Sequence, residues 1–405
     1  MSRLPQRVAR ATPPNLEGLR PYQCEGVLRL RSWRSGVLAD EMRLGKTAQL
    51  LRALPVRAAA IVVCPAIAIL VWRDETAKWR PDLRPVLWRS GMSLCPGEGE
   101  ILIISGDSLP DPTHGESSGL VPYSLLHVTL ILDEAHYFMN PEAQRTQKVR
   151  RLGHQCRIVW GSTGTPMAGK LTDLIGVLDS CRVGPRVGLT FIQDHLQKVM
   201  LRRLRSDVYP DLPPKQYQLI PVPAPDDLRD YLDVITEQWD LLDPDELPPF
   251  EMISEARKAI ARSRITESLT FALDLLADGP LLFSSCHREP ILAAGERLGA
   301  SVILGETPLS ERREIVRRFA AGEIRLVAMT ADSGGMSVDF SVTDQILEHD
   351  LDWSPGINAQ LEARGESVTK ERPVHVYRMV SDHVLDRRVV SVLDRKQREI
   401  EETVR

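Results

Sequence analysis

Residues Leu38–Thr47 read Leu-Ala-Asp-Glu-Met-Arg-Leu-Gly-Lys-Thr and continue a short apolar run at Val37–Ala39. A Gly-Lys-Thr turn of this kind demands a strand before it and a helix after it. That arrangement aims backbone N–H groups and a helix N-terminus at a polyphosphate, with a lysine to neutralise charge and a hydroxyl to reach Mg²⁺. Lys46 and Thr47 take those two parts, while Met42, Leu44, Gly45 and Ala48 supply the surrounding main chain. A second segment, Leu132-Asp133-Glu134-Ala135-His136, follows another apolar run roughly 90 residues on. Asp133 suits the metal and its water shell, and Glu134 suits orienting or deprotonating an attacking water. Either segment alone recurs by chance. In this order, each at the C-terminus of a strand, they specify a nucleoside triphosphatase that works with Mg²⁺.

The rest of the chain sets the frame around that chemistry. At 405 residues with 43% apolar content, it has room for two or three domains and a substantial core. No apolar stretch approaches a membrane span, and Arg3, Arg7 and Arg10 lie among prolines where a secretory signal would be apolar. The expectation is no membrane partner and a cytoplasmic location, in a bacterial or virus-infected cell. Six scattered cysteines form no Cys-x-x-Cys pair, which disfavours a zinc site or redox centre. A formal net charge of −4 neither advertises nor excludes nucleic acid, so any binding track must be a local concentration of arginine.

Apolar β-type runs at 37–39, 60–64, 101–104, 128–132 and 157–160 alternate with helical or loop stretches, and the pattern repeats at 281–284, 301–304, 325–329, 345–347 and 374–379. Such alternation predicts two α/β lobes, each a parallel sheet covered on both faces. Asp211-Leu-Pro-Pro-Lys215 is a hinge candidate, because consecutive prolines favour extended backbone. The lobes are therefore placed at 1–210 and 211–405. Helices are predicted at 226–242 and 251–277, forming a small appendage at about 226–277 on the second lobe.

Read in order, the motifs resemble those of the Swi/Snf-like branch of superfamily 2 helicases over roughly residues 16–400. Leu19-Arg20-Pro21-Tyr22-Gln23 resembles its adenine-recognition segment, which assigns Gln23 and Arg20 to the nucleotide. Val62-Val63-Cys64-Pro65 resembles motif Ia, and Ser105–Leu109 occupies the place of motif Ib. Trp72 and Trp79, seven apart, are read as core on one helix face. Gly164-Thr165-Pro166 matches motif III. Met200-Leu201-Arg202-Arg203 through Asp207-Val208 and on to Pro214-Lys215 resembles the family's lobe-linking segment. Thr330 with Gly334 and Gly335 resembles motif V, and Asp350 through Trp353-Ser354-Pro355 resembles its Asp-x-x-Trp-Asn-Pro element. Gln360 and Arg364 fall where motif VI places its glutamine and first arginine.

This resemblance implies two tandem RecA-like parallel-sheet lobes with an ATP cleft between them. It further implies that Pro65, Ser105, Thr330 and Gly334 contact DNA, that Gly335 serves the nucleotide, and that Gln360 and Arg364 serve hydrolysis. The implied activity is ATP-dependent translocation on duplex or branched DNA without sequence preference, in replication, recombination or repair. Two departures matter. Ser367 stands where the family has a second arginine, and such an arginine is worth about 10³–10⁵ in rate. Arg43 replaces a usual glycine in the phosphate loop. Ser367 opens an alternative, an ATP-binding DNA clamp with weak hydrolysis that needs a protein partner to supply an arginine or a specificity module. An RNA helicase is the other alternative.

Overall fold

The computed structural model describes residues 15–111, 125–185, 191–240, 250–331 and 339–404. Its contacts divide the chain into two units, with the break at Val208/Tyr209. The first contains α1 (Pro21–Ser32), β1 (Ser35–Leu38), α2 (Lys46–Ala53), β2 (Ala59–Cys64), α3 (Ile69–Trp79), β3 (Arg84–Leu87) and β4 (Glu100–Ser105). It continues with β5 (Val128–Asp133), α4 (Gln144–Gln155), β6 (Ile158–Ser162), α5 (Leu171–Ser180), α6 (Ile192–Val199), β7 (Met200–Leu201) and α7 (Arg205–Val208).

Its strands pair in the order β3-β4-β2-β5-β6-β1-β7, every pair parallel. β2 is buried at all of its positions, as a strand covered on both faces must be. Val27 and Leu30 of α1, Leu50 and Leu51 of α2 and Trp72 of α3 close one face over Ala60, Val62, Ile101, Ile103 and Ile131. Since all strands run the same way, the loops after β1, β2, β4, β5 and β6 gather along one rim, where open α/β sheets bind ligands.

The second unit contains β8 (Gln216–Val222), α8 (Asp226–Asp240), α9 (Phe250–Ser263), α10 (Ile265–Asp278), β9 (Leu281–Ser285), α11 (Arg288–Leu298) and β10 (Ser301–Ile303). α12 (Leu309–Ala320), β11 (Leu326–Thr330), β12 (Gln345–Glu348), α13 (Pro355–Glu362), β13 (His375–Ser381) and α14 (Val384–Val404) complete it. The sheet order is β10-β11-β9-β12-β13-β8, again parallel throughout. α10 and α11 pack on one face through Leu269, Ala272, Ile291 and Ala294, and α12 and α13 on the other through Ile315, Phe319 and Leu361. The two sheets are tandem RecA-like α/β lobes.

Where one helix was expected over 251–277, the chain breaks at Arg264, whose buried guanidinium donates to Asp386 at 2.7 Å. The break lets α9 join α8 in a separate small core with Leu385, while α10 belongs to the main sheet.

Candidate functional site

The phosphate loop of the first lobe leaves β1 at Ala39 and turns into α2 at Lys46. Gly45 has φ +70°, and a Cβ there would run into the Gln23 amide, so the close approach of these two segments requires glycine. Arg43 also has positive φ, +68°, a conformation that L-residues adopt at a cost of about 1–2 kcal/mol. Its strain explains why a glycine is the usual occupant.

One carbonyl organises the loop. Leu44 O accepts from Tyr22 Oη at 3.1 Å, Gln23 Nε2 at 3.2 Å and Gln49 Nε2 at 3.2 Å. Gln23 Oε1 in turn accepts from the Arg20 main-chain N–H at 2.9 Å, so Arg20, Gln23, Leu44 and Gly45 are tied together. Behind the loop, Arg203 grips fully buried Asp40 through Nε at 2.9 Å and Nη2 at 2.6 Å, and Nη2 also reaches Gln49 Oε1 at 2.9 Å. Arg203 lies over the Tyr22 ring as well, 5.1 Å from its centroid. Asp40 thus has its charge balanced inside the core.

Lys46 opens α2, and its Nζ donates to Asp40 O at 2.8 Å and Glu41 O at 3.3 Å. Burial lowers its pKa, with Glu134, Asp40 and Asp133 opposing that fall and Arg202 adding to it. Thr47 follows, half-buried, and Ala48 is buried beneath. Met42 packs where any side chain at Gly164 would clash.

Asp133 ends β5 and Glu134 follows in a left-handed conformation, φ +48°. Burial and the neighbouring Glu134 charge push Asp133 up to about 6, while a 2.7 Å hydrogen bond from Trp72 Nε1 to its Oδ2 holds it down. Burial raises Glu134, and the Lys46 charge opposes the rise. Glu134 Oε2 is buried without a hydrogen-bond partner. His136 Nδ1 lies 3.3 Å from that oxygen, but desolvation drops its pKa to about 4, so the ring is neutral at pH 7. Nδ1 sits 3.0 Å from Thr163 Oγ1, which itself accepts from the Thr165 N–H at 3.0 Å, so the ring is tied to the segment after β6.

Lys46, Asp133 and Glu134 are therefore brought into electrostatic contact at one rim, with Gln23 tied to the same loop. Pro65 caps the short helix after β2. Ser105 ends β4 buried, its hydroxyl 2.7 Å from Ser108 Oγ in a local turn. In the second lobe Thr330 ends β11, buried, and Gln360 is half-buried on α13. Arg364 is buried with a guanidinium nitrogen 3.2 Å from Met329 Sδ. Gly334 and Gly335 lie outside the described residues. Ser367 pairs its hydroxyl with Thr369 at 3.0 Å, while Lys370 Nζ binds Ser341 O, Thr343 O, Gly365 O and Asp344.

α13 ends in a buried polar cluster. Glu362 accepts from Lys215 Nζ at 2.6 Å, Tyr217 Oη at 2.7 Å and Arg378 Nη2 at 2.7 Å, and Arg378 Nε also reaches Glu348 at 2.8 Å. The cations hold Glu362 below its ordinary range, whereas burial beside Glu362 pushes Glu348 up to about 8.

Trp72, His136, Thr163, Asp40 and Arg203 complete the first-lobe site; Asp40, His136 and Arg203 lie inside motif segments, but the motifs give none of the five a role there. Helical spacing marked Trp72 as core, which it is, but spacing cannot show where an indole N–H points.

The SNF2-related domain family matches residues 22–187, and the helicase conserved C-terminal domain family matches residues 283–366. The chain belongs to the Swi/Snf-like branch of superfamily 2 helicases. Relatives in that branch include the human SWI/SNF-related matrix-associated actin-dependent regulator of chromatin subfamily A member 1, 22% identical over 94% of this chain and 43% of the relative. The mouse DNA annealing helicase and endonuclease ZRANB3 is 24% identical over 93% of this chain and 40% of its own. The uncharacterized ATP-dependent helicase MG018 of Mycoplasma genitalium is 22% identical over 96% and 42%. The chain spans about two fifths of the length of these relatives. A solved structure, the Sulfolobus solfataricus SWI2/SNF2 ATPase core in complex with dsDNA, aligns with TM-score 0.45 and 17% identity, covering 98% of this chain and 95% of that one. No helix among the described residues is long and apolar enough to cross a membrane.

Proposed function

We propose that this Swi/Snf-like chain is a DNA-stimulated ATPase that uses hydrolysis to move along duplex or branched DNA, in replication, recombination or repair. The observation that carries the reading is the coupling of Lys46 to Asp133 and Glu134 on one sheet rim. Lys46 neutralises phosphate charge and the loop amides orient the chain of phosphates. Glu134, raised by burial, is the base: as the water oxygen bonds the γ-phosphorus, the bond to the β–γ bridging oxygen breaks, its electron pair leaves with ADP, and the water proton passes to Glu134. The residues fit Mg²⁺, since burial beside the Glu134 charge leaves the Asp133 carboxylate wanting a cation and Thr47 adds a hydroxyl oxygen; Asp133 and Thr47 would hold the ion, which would supply charge neutralisation at the phosphates. Gln360 and Arg364 are assigned to the same reaction by motif order. Pro65, Ser105, Thr330 and Gly334 are assigned to DNA likewise. Two relatives, a regulator of chromatin and a DNA annealing helicase, support DNA as the track.

The test measures ATP hydrolysis in parallel with no nucleic acid, single-stranded DNA, duplex DNA, a forked junction and RNA. Stimulation by RNA with none by duplex DNA would remove the DNA assignment. Affinity for duplex should also fall steeply with salt, because phosphate contacts release counterions. A second reading, slow turnover that a partner's arginine accelerates, rests on Ser367 and on the commitment of Lys370 to three carbonyls and Asp344. Ser367→Arg should then raise turnover ~10-fold or more; no change would set that reading aside.

A further inference from the structure

We infer that Arg202 is a catalytic arginine supplied from within the first lobe, contacting the γ-phosphate during hydrolysis; this rests on the ATPase reading above. Its position follows from the pairing of the chain. β7 adds to β1 on the far side from β6, in parallel, so the residues after Leu201 emerge at the same rim as the phosphate loop. Main-chain bonds extend that pairing past the strand: Ala39 N–H donates to Leu201 O at 2.7 Å and Glu41 N–H to Arg203 O at 2.9 Å.

On extended chain, successive side chains point to opposite faces. Arg203 takes the inner face and is consumed by Asp40 and Gln49. Arg202 therefore takes the other face, and there its Nη1 reaches Ala39 O at 3.2 Å and Gly164 O at 3.4 Å. Those two carbonyls belong to the start of the phosphate loop and to the Gly164-Thr165-Pro166 segment. Lys46 Nζ flanks the same spot, lying 3.5 Å from where a Cβ on Gly164 would be. The charge on Arg202 is felt there, since it helps depress the Lys46 pKa.

A guanidinium between the loop and Gly164 stands beside the ammonium that marks the terminal phosphates, on the side of the Thr163–His136–Glu134 chain. Its two carbonyl bonds are long, and charge developing on the transferring phosphoryl oxygens offers a stronger, charge-assisted acceptor. The reaction is unchanged; Arg202 adds positive charge where negative charge accumulates, and so compensates for Ser367. Arg43 and Arg372 are the rivals. Arg43 is held in a left-handed turn of the phosphate loop itself, and Arg372 is an exposed loop residue of the second lobe.

The experiment compares wild type with Arg202→Ala, Arg202→Gln and Arg202→Lys, measuring kcat and KM for ATP and the affinities for ADP and for ADP with aluminium fluoride. Gln keeps a donor for the two carbonyls without the charge. Expected are a fall in kcat of ~10²-fold or more for Ala and Gln, near-normal ADP affinity, loss of the tighter binding of ADP with aluminium fluoride, and partial recovery with Lys. Unfolded Arg202→Ala would leave Gln and Lys to decide. Wild-type turnover in Arg202→Gln, or equal losses of affinity for ADP and for ADP with aluminium fluoride, overturns the inference while leaving the ATPase reading standing. A wild-type protein that binds no adenine nucleotide overturns both.

Discussion

Replacing Trp72 by Phe should destabilise the first lobe by an amount that depends on pH. Trp72 is 1% exposed, and its indole N–H donates to Asp133 Oδ2 at 2.7 Å. A hydrogen bond to a charged group is worth about 1.5–3 kcal/mol, and the partial exposure of Asp133 favours the lower end. That corresponds to a further rise of about one unit in the Asp133 pKa at 1.36 kcal/mol per unit. In the wild type this pKa is already about 6, above the unfolded value of about 3.9. The folded state thus binds the proton more tightly, and the stability linked to Asp133 is full below the unfolded pKa and lost as pH rises through about 6. Removing the indole extends that loss to higher pH. At pH 5 the carboxyl is largely protonated, and only trimming the ring to a phenyl counts, about 1–2 kcal/mol. At pH 8 the missing charge-assisted bond adds about 1.4 kcal/mol. Urea unfolding of both proteins at pH 5 and pH 8, followed by a probe in the first lobe, measures the difference. A cost equal at the two values, or larger in acid, would refute the assigned role of the indole.

Lys46→Ala should abolish ATP binding, whereas Glu134→Gln should retain it and stop hydrolysis; equal loss of affinity in both, by nucleotide titration, would contradict their separate roles. Arg203→Ala should cost the first lobe about 3–5 kcal/mol by leaving Asp40 buried and uncompensated. Adding Asp40→Asn should recover part of that loss in urea unfolding, and no recovery would mean that charge is not the cause. Arg43→Gly should stabilise the lobe by about 0.5–1 kcal/mol in urea unfolding by relieving the left-handed backbone, and an unchanged or lower stability would count against strain at this position. Glu348 is pushed up to about 8, so its share of stability is lost as pH rises through that value. Glu348→Gln should flatten the decline of second-lobe stability between pH 6 and pH 9; parallel pH profiles would argue against it.

Buried strands were the most legible part of the fold in the sequence. Apolar runs at 60–64 and 281–284 appear as β2 and β9, within a residue at each end, because central parallel strands must be apolar throughout. β8 gave no such signal: it lies at the end of its sheet, with Gln216–Leu219 all exposed and Pro221 within it. β7 is two residues long and owes its existence to pairing with β1. In the site, Lys46, Thr47, Asp133 and Glu134 were readable because phosphate chemistry ties residue type to local spacing. Arg203 and Asp40, 163 positions apart, meet only through the tertiary fold, and local spacing carries no trace of their pairing.

Glu362 is the last residue of α13, and it is held from two directions: by Lys215 and Tyr217 as the chain enters β8, and by Arg378 on β13. With three donors on one carboxylate, the C-terminal turn of α13 is tied to the strand that opens the second lobe. A displacement of the segment leading into β8 thus has a short route to the helix carrying Gln360, through the Lys215 and Tyr217 bonds to one carboxylate rather than around the sheet.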